Sequence, residues 1–245
     1  MMPLVIGGVG GSGTRIPAEF AQEAGVQLGE TNYALDARAF VWHDETWMHL
    51  WLAGPLPAAG EEAMTNSWQI CLKKHIEGLD LSRPWGWKSP RSVLNLRFLH
   101  KQLPDMRFVH IVRNGLDMAC SPNENQPSRY ADLVSLASSV RKLTWPEQRI
   151  AYWAEVNKRA ADYGESMMGD GYFRIRYEDL LAGELAPLLA FINQKEATPA
   201  LMARCLRKLK PPGTVGRWRE TFSLRQADPL AALAGGQLER FGYNR

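Results

Sequence analysis

The chain has 245 residues, 45% of them hydrophobic and 22% charged, with 29 Lys and Arg against 26 Asp and Glu. These ordinary globular values exclude disorder, collagen and coiled coil as descriptions of the whole. A net charge of +3 and a pI near 8.8 suit an anionic ligand but are too weak to argue for nucleic acid.

Leu4-Val5-Ile6 is a short apolar run stopped by Gly7-Gly8, which predicts a buried strand feeding a Gly-rich turn. Residues 16–24 read as a helix with Pro17 in its first turn. Residues 61–77 read as a second helix, with Met64, Trp68, Cys71, Leu72, His75 and Ile76 on one face. Residues 91–103 read as a third, closed by Pro104. A strand rich in β-branched residues follows at 108–112, then a short helix from Leu116. Residues 147–168 form a long amphipathic pattern, and 172–176 alternate like a strand. Helices are expected over 177–193 and 199–209. Strands alternating with helices predict an α/β fold with a central parallel sheet flanked by helices on both faces. One domain spanning 1–245 is the simplest reading.

Cys71, Cys120 and Cys205 are few and far apart, so no disulfide framework and no metal-ligand spacing is expected. The start lacks a basic leader pattern, and no run approaches the ~20 apolar residues that span a bilayer. A cytoplasmic location is the resulting expectation.

Gly7-Gly8-Val9-Gly10-Gly11-Ser12-Gly13-Thr14-Arg15 lies between the first strand and the first helix. Backbone N–H groups and the helix N-terminus converge there on an anion site. A Walker A loop reads G-x-x-x-x-G-K-[ST]. Gly8 and Gly13 keep that glycine spacing, but Thr14 replaces the lysine and Arg15 the Mg²⁺-holding hydroxyl. An anionic nucleotide without a metal-bridged γ-phosphate fits better.

The second strand ends at Val112 and runs into Arg113, and Ser121 stands eight residues further on. An Arg fork at the strand end and a Ser two helical turns later can reach one phosphate. Two phosphate sites on neighbouring strand ends suggest a nucleotide phosphorylated at both ends of its ribose.

These motifs resemble those of the sulfotransferases that use 3′-phosphoadenosine-5′-phosphosulfate (PAPS). The glycine loop, with Gly10, Gly11, Ser12, Gly13, Thr14 and Arg15, resembles the family's 5′-phosphosulfate loop. The segment from Arg113 to Ser121 resembles its 3′-phosphate motif. Arg176-Tyr177-Glu178-Asp179-Leu180 resembles the segment whose Tyr borders the adenine. Gly213-Thr214-Val215-Gly216-Arg217-Trp218-Arg219 resembles a late loop that closes over the cofactor. The likeness runs from residue 4 to 243 and includes the chain's ending. It implies a P-loop nucleotide-hydrolase-like three-layer sandwich, transfer of a sulfonate group to a hydroxyl or amine, PAP as product, and no metal.

The chain departs from the family pattern in three places. The usual loop cation is replaced by Gly11, which leaves Arg15 and Lys88, the latter in Trp87-Lys88-Ser89-Pro90, as candidates to neutralise the leaving group. No His follows Lys88 where one branch of the family keeps its base. Gly29-Glu30-Thr31 resembles the context in which other branches place a Glu, so Glu30 is the first candidate base, Asp36 the second and His43 the third, with Asp44 in the same region. Pro211-Pro212 replaces an Arg-Lys pair that grips the 3′-phosphate, leaving part of that work to Lys210, Arg217 and Arg219.

Six of nine tryptophans, Trp42, Trp47, Trp51, Trp68, Trp85 and Trp87, fall between residues 42 and 87. They suit either an aromatic pocket for a sugar, lipid or phenol, or a packed core. The expected partner is a small-molecule, glycan or lipid acceptor, with no nucleic acid and no membrane span; a homodimer is left open. A P-loop ATP- or GTP-dependent phosphotransferase and a non-catalytic nucleotide-binding module are the competing readings.

Overall fold

The structure is a computed structural model that describes residues 2–134, 142–209, 213 and 215–243. Four parallel strands form one sheet in the order β2-β1-β3-β4: β1 is Leu4–Gly7, β2 Gly86–Lys88, β3 Arg107–Val112 and β4 Tyr172–Arg176. Val5 pairs with Trp87 on one side and Phe108 on the other, and Val112 with Arg176.

Alternation along the strands sends side chains into two separate cores. Val5, Phe108 and Val112 face one, and Leu4, Ile6, Val109 and Ile111 the other. The first core is covered by α2 (Val41–Ala53), α3 (Ala58–Ile76), α4 (Leu96–Gln102), α5 (Gly115–Ala119), α6 (Pro127–Val134) and α7 (Trp145–Met167). Among the late helices, α11 (Trp218–Thr221), α12 (Leu224–Leu233) and α13 (Gln237–Arg240) join the same layer, with Phe241 5.8 Å from the Trp153 ring. The second core is covered by α1 (Arg15–Glu23), α9 (Ala186–Asn193) and α10 (Pro199–Leu206). The short α8 (Tyr177–Leu181) continues from β4. The result is an α/β three-layer sandwich.

The expected helix over 91–103 is two pieces, a 3₁₀ turn at Pro90–Val93 and α4. Pro90 opens the turn, and Asn95 leaves helical geometry before α4 begins. The expected helix over 177–193 is also split. Gly183 takes φ +89, a left-handed turn that ends α8, and Pro187 starts α9. The helix expected to Leu209 stops at Leu206, and α3 starts three residues early. β2, α2, α6 and the helices after residue 217 were not expected. β2 is only three residues long, and Gly86 is required in it because a Cβ there would lie 1.9 Å from the Leu4 carbonyl oxygen. α2 escapes pattern reading because its apolar residues surround the helix instead of lining one face.

Candidate active site

Because the strands are parallel, all four carboxyl ends open on one edge, where a crevice forms in sheets of this kind. β1 runs into the glycine loop, β2 ends at Lys88, β3 delivers Arg113 and β4 delivers Tyr177. These residues line one cavity of about 740 Å³.

The glycine loop needs its glycines. Gly11 and Gly13 take φ of +96 and +87, which side chains disfavour. A Cβ on Gly13 would also fall 2.3 Å from the Tyr177 ring. Thr14 makes no capping bond at the start of α1, and the first turn carries no acid. The dipole end therefore faces the cavity uncompensated. Ser12 is fully buried, and its hydroxyl has no hydrogen-bond partner among the described residues. A buried unpaired hydroxyl in such a loop suits an oxyanion. Gly10 lines the cavity, and its N–H donates to Gln126 Oε1 at 2.9 Å.

Arg113 is buried with its guanidinium 4.8 Å from the Tyr177 ring centre, and one of its nitrogens lies 3.4 Å from the Gly11 carbonyl. Ser121 Oγ sits 3.6 Å from where a Gly11 Cβ would be, and accepts from the Asn123 N–H. Arg113, Ser121, Tyr177 and the glycine loop thus meet around Gly11. Asn114 caps α5, its side chain accepting from the N–H groups of Leu116 and Asp117. Its own N–H donates to Glu178, whose second oxygen lies 2.8 Å from the Tyr243 hydroxyl.

The late loop is tied to this unit by Asp117. That buried carboxylate accepts from Gly216 N–H at 2.8 Å and Trp218 N–H at 3.1 Å, and Arg217 donates to the Asp117 carbonyl at 3.4 Å. Gly213 and Val215 are exposed. Lys210, Pro211, Pro212 and Thr214 lie outside the described residues.

The candidates for chemistry separate clearly. Lys88 is 3% exposed and donates to the Ala34 carbonyl and to Asp36. Burial pulls its pKa down, and Asp36 opposes that. Arg15 donates to the Tyr33 carbonyl and also lines the cavity. Asp36 is held by an Asn32-centred turn, in which Asn32 Oδ1 accepts from the N–H groups of Ala34 and Asp36. Glu30 lies outside the cavity lining, 69% exposed and paired with Arg38 at 3.4 Å. His43 faces the first core, 3.1 Å from Ser67 Oγ and stacked on Phe98, and burial lowers its pKa to about 4. Asp44, one residue on, lines the cavity instead.

No tryptophan appears among the described residues lining this cavity. Trp68, Trp85 and Trp87 are buried in the core, Trp47 packs against it, and Trp42 is exposed. Trp51 lines two other grooves of about 520 and 810 Å³ between α2, α4 and α7, which share no residue with the strand-end cavity. Asp117 and Glu178, which fasten the site together, sit inside motifs already visible in the chain. Asn123, Asn125, Gln126 and Arg129 carry no sequence signal, because α6 and its leading loop have no pattern that aims them at the cavity. Among the described residues no group of three or more His, Cys, Asp or Glu is placed to hold a metal, and no helix is long and apolar enough to cross a membrane.

The model of the Sulfotransferase family matches residues 3–193. No curated protein matches the chain significantly. Among solved structures, the chain is similar to the sulfotransferase domain of the Synechococcus PCC 7002 olefin synthase, with TM-score 0.55, 16% identity, and 100% of this chain and 95% of that one covered. It is similar to a sulfotransferase from Mycobacterium avium, with TM-score 0.59, 11% identity and coverage of 99% and 77%. A sulfotransferase from Alicyclobacillus acidocaldarius gives 0.55, 13%, and coverage of 98% and 94%. At these identities the structural likeness concerns the fold.

Proposed function

The chain belongs to the sulfotransferase family, and on that premise we propose that it transfers a sulfonate group from PAPS to a hydroxyl or amine of an acceptor. The observation that carries the donor assignment is the meeting of two anion sites at Gly11. The uncapped N-terminus of α1 with Ser12 forms one, and Arg113 with Ser121 forms the other. A nucleotide phosphorylated at its 5′ and 3′ positions suits such a pair, and the orphaned Ser12 hydroxyl supports the fit.

In this reading residues 10–15 hold the 5′ end, Arg113 and Ser121 the 3′-phosphate, and Tyr177 borders the adenine. Gly213, Val215, Gly216, Arg217 and Trp218 close over the nucleotide. Bound there, PAPS supplies an activated sulfonate. Lys88 and Arg15 neutralise charge on the leaving phosphate oxygen, replacing the cation that Gly11 omits. Metal is not required, since the loop lacks both the lysine and the hydroxyl of the metal-using pattern. Of the three bases expected, Asp36 alone lines the cavity, and its carboxylate is engaged by Lys88 and Asn32. We assign it to orienting Lys88. Asn32, Asp44, Arg91 and Arg129 on the remaining wall support a polar acceptor, a sugar or other polyol or amine, over a lipid.

Calorimetric titration tests the donor. PAP is expected to bind without metal, and ATP with Mg²⁺ weakly or not at all. The opposite order of affinities overturns the reading.

A further inference from the structure

We propose that Asp44 is the proton acceptor for the attacking hydroxyl or amine, an assignment that rests on the sulfotransfer reading above. Two acids line the cavity, Asp36 and Asp44. Asp36 is committed to Lys88. The Asp44 carboxylate accepts no hydrogen bond among the described residues, and its nearest cation, Arg91, stands 3.9 Å away, beyond hydrogen-bond length. That same guanidinium is also 3.9 Å from Glu45, so it divides between two carboxylates. The Asp44 side chain is 8% exposed, which leaves its carboxyl in a drier setting than any surface acid.

The charged and titratable groups around it come from every neighbouring element. Arg91 comes from the 3₁₀ turn, Glu45 from α2, Tyr130 and Arg129 from α6, and Cys71 from α3. Burial raises the Asp44 pKa to about 7, Glu45 adds to the rise, and Arg91 opposes it. A base poised near the working pH is the kind that accepts a proton efficiently. A carboxylate locked in a short ion pair is not.

The step balances. The acceptor oxygen or nitrogen forms a bond to sulfur while the bond from sulfur to the 5′-phosphate oxygen breaks. The electron pair of the broken bond stays on that phosphate oxygen. The acceptor's proton moves to Asp44 and is later released to water.

The test has three parts. Carbon-13 NMR of the aspartate carboxyls in the ligand-free protein, with Asp44 assigned by its loss in Asp44→Asn, is expected to show Asp44 titrating near 7. Titration in the ordinary range around 4 overturns the proposal. With PAPS as donor, Asp44→Asn is expected to slow turnover of glucosamine by roughly 10²–10⁴. It should leave p-nitrophenol, ionised before it binds at the assay pH, within a few-fold. Equal losses on both, or unchanged glucosamine turnover, sink the assignment. PAP affinity of Asp44→Asn is expected to equal that of the native protein, which reports an intact fold. Failure of the native protein to bind PAP instead removes the sulfotransfer reading itself.

Discussion

Arg113 concentrates the site's electrostatics in one side chain. It follows β3 directly, its carbonyl accepts from the Trp153 indole N–H at 2.9 Å, and its guanidinium sits over the Tyr177 ring, 4.8 Å from its centre. A buried Arg already stacked and anchored loses little further freedom when it forks to a phosphate. Arg113→Ala is expected to weaken PAP binding by about 1.5–3 kcal/mol, measured by calorimetry. An unchanged affinity removes Arg113 from the 3′-phosphate. Arg113 and Ser121 are legible in the chain because their spacing follows a β-branched strand, although the helix expected to carry Ser121 ends at Ala119 and leaves it just beyond. Asp44 and Asp36 are not distinguishable there. Both are acids in one stretch whose sequence shows no legible period, and only folding presses Asp36 onto Lys88 and leaves the Asp44 carboxylate without a hydrogen-bond donor among the described residues.

At the scale of elements, α5 acts as the hub. Its N-terminus is capped by Asn114, and its Asp117 carboxylate receives two N–H groups from the late loop. The segment that follows β3 and the residues leading into α11 are thereby one mechanical unit across about a hundred residues of chain. Asp117→Asn places an amide N–H₂ opposite one of those donors. The orphaned N–H is expected to cost about 1–3 kcal/mol. Hydrogen exchange at Gly216 and Trp218 should accelerate and PAP affinity should fall. Exchange as slow as in the native protein counts against the hub. The motif containing Asp117 is visible in the sequence, but its partners 99 and 101 residues away are not. The same holds for β2, a three-residue strand whose existence depends on β1 lying beside it.

For the whole molecule, buried titratable groups make stability depend on pH in opposite directions. His43 and His110 are buried, and both have pKa values lowered to about 4. His110 bridges the Asn157 side chain and the Tyr172 hydroxyl inside the first core. The unfolded chain binds their protons below about 6.5, where the folded state does not. Their contribution is full above that pH and is lost as pH falls toward 4. Asp44 runs the other way. Its folded pKa near 7 exceeds the unfolded value, so its stabilising share is present below about 4 and is lost as pH rises to 7. Asp44→Asn is therefore expected to melt at a higher temperature than the native protein at pH 8, by at most roughly 4 kcal/mol of stability. The gap should close by pH 4. Parallel melting curves at every pH contradict a buried, destabilised carboxylate.

The amino-acid sequence by itself determined the class of the fold and pointed to the glycine loop, Arg113 and Tyr177 as parts of one candidate site. Alternating apolar runs specify strands and helices locally, and glycines needed for backbone approach cannot be exchanged without leaving a trace in the chain. Tertiary structure alone decided which of the remaining candidates line the cavity. It buried Trp68, Trp85 and Trp87 in the core, turned Glu30 outward to Arg38, aimed His43 at Ser67, and left Asp44 facing the cavity. Those outcomes depend on how α2 and α3 pack over the sheet edge, a long-range fit of side chains that no local period encodes.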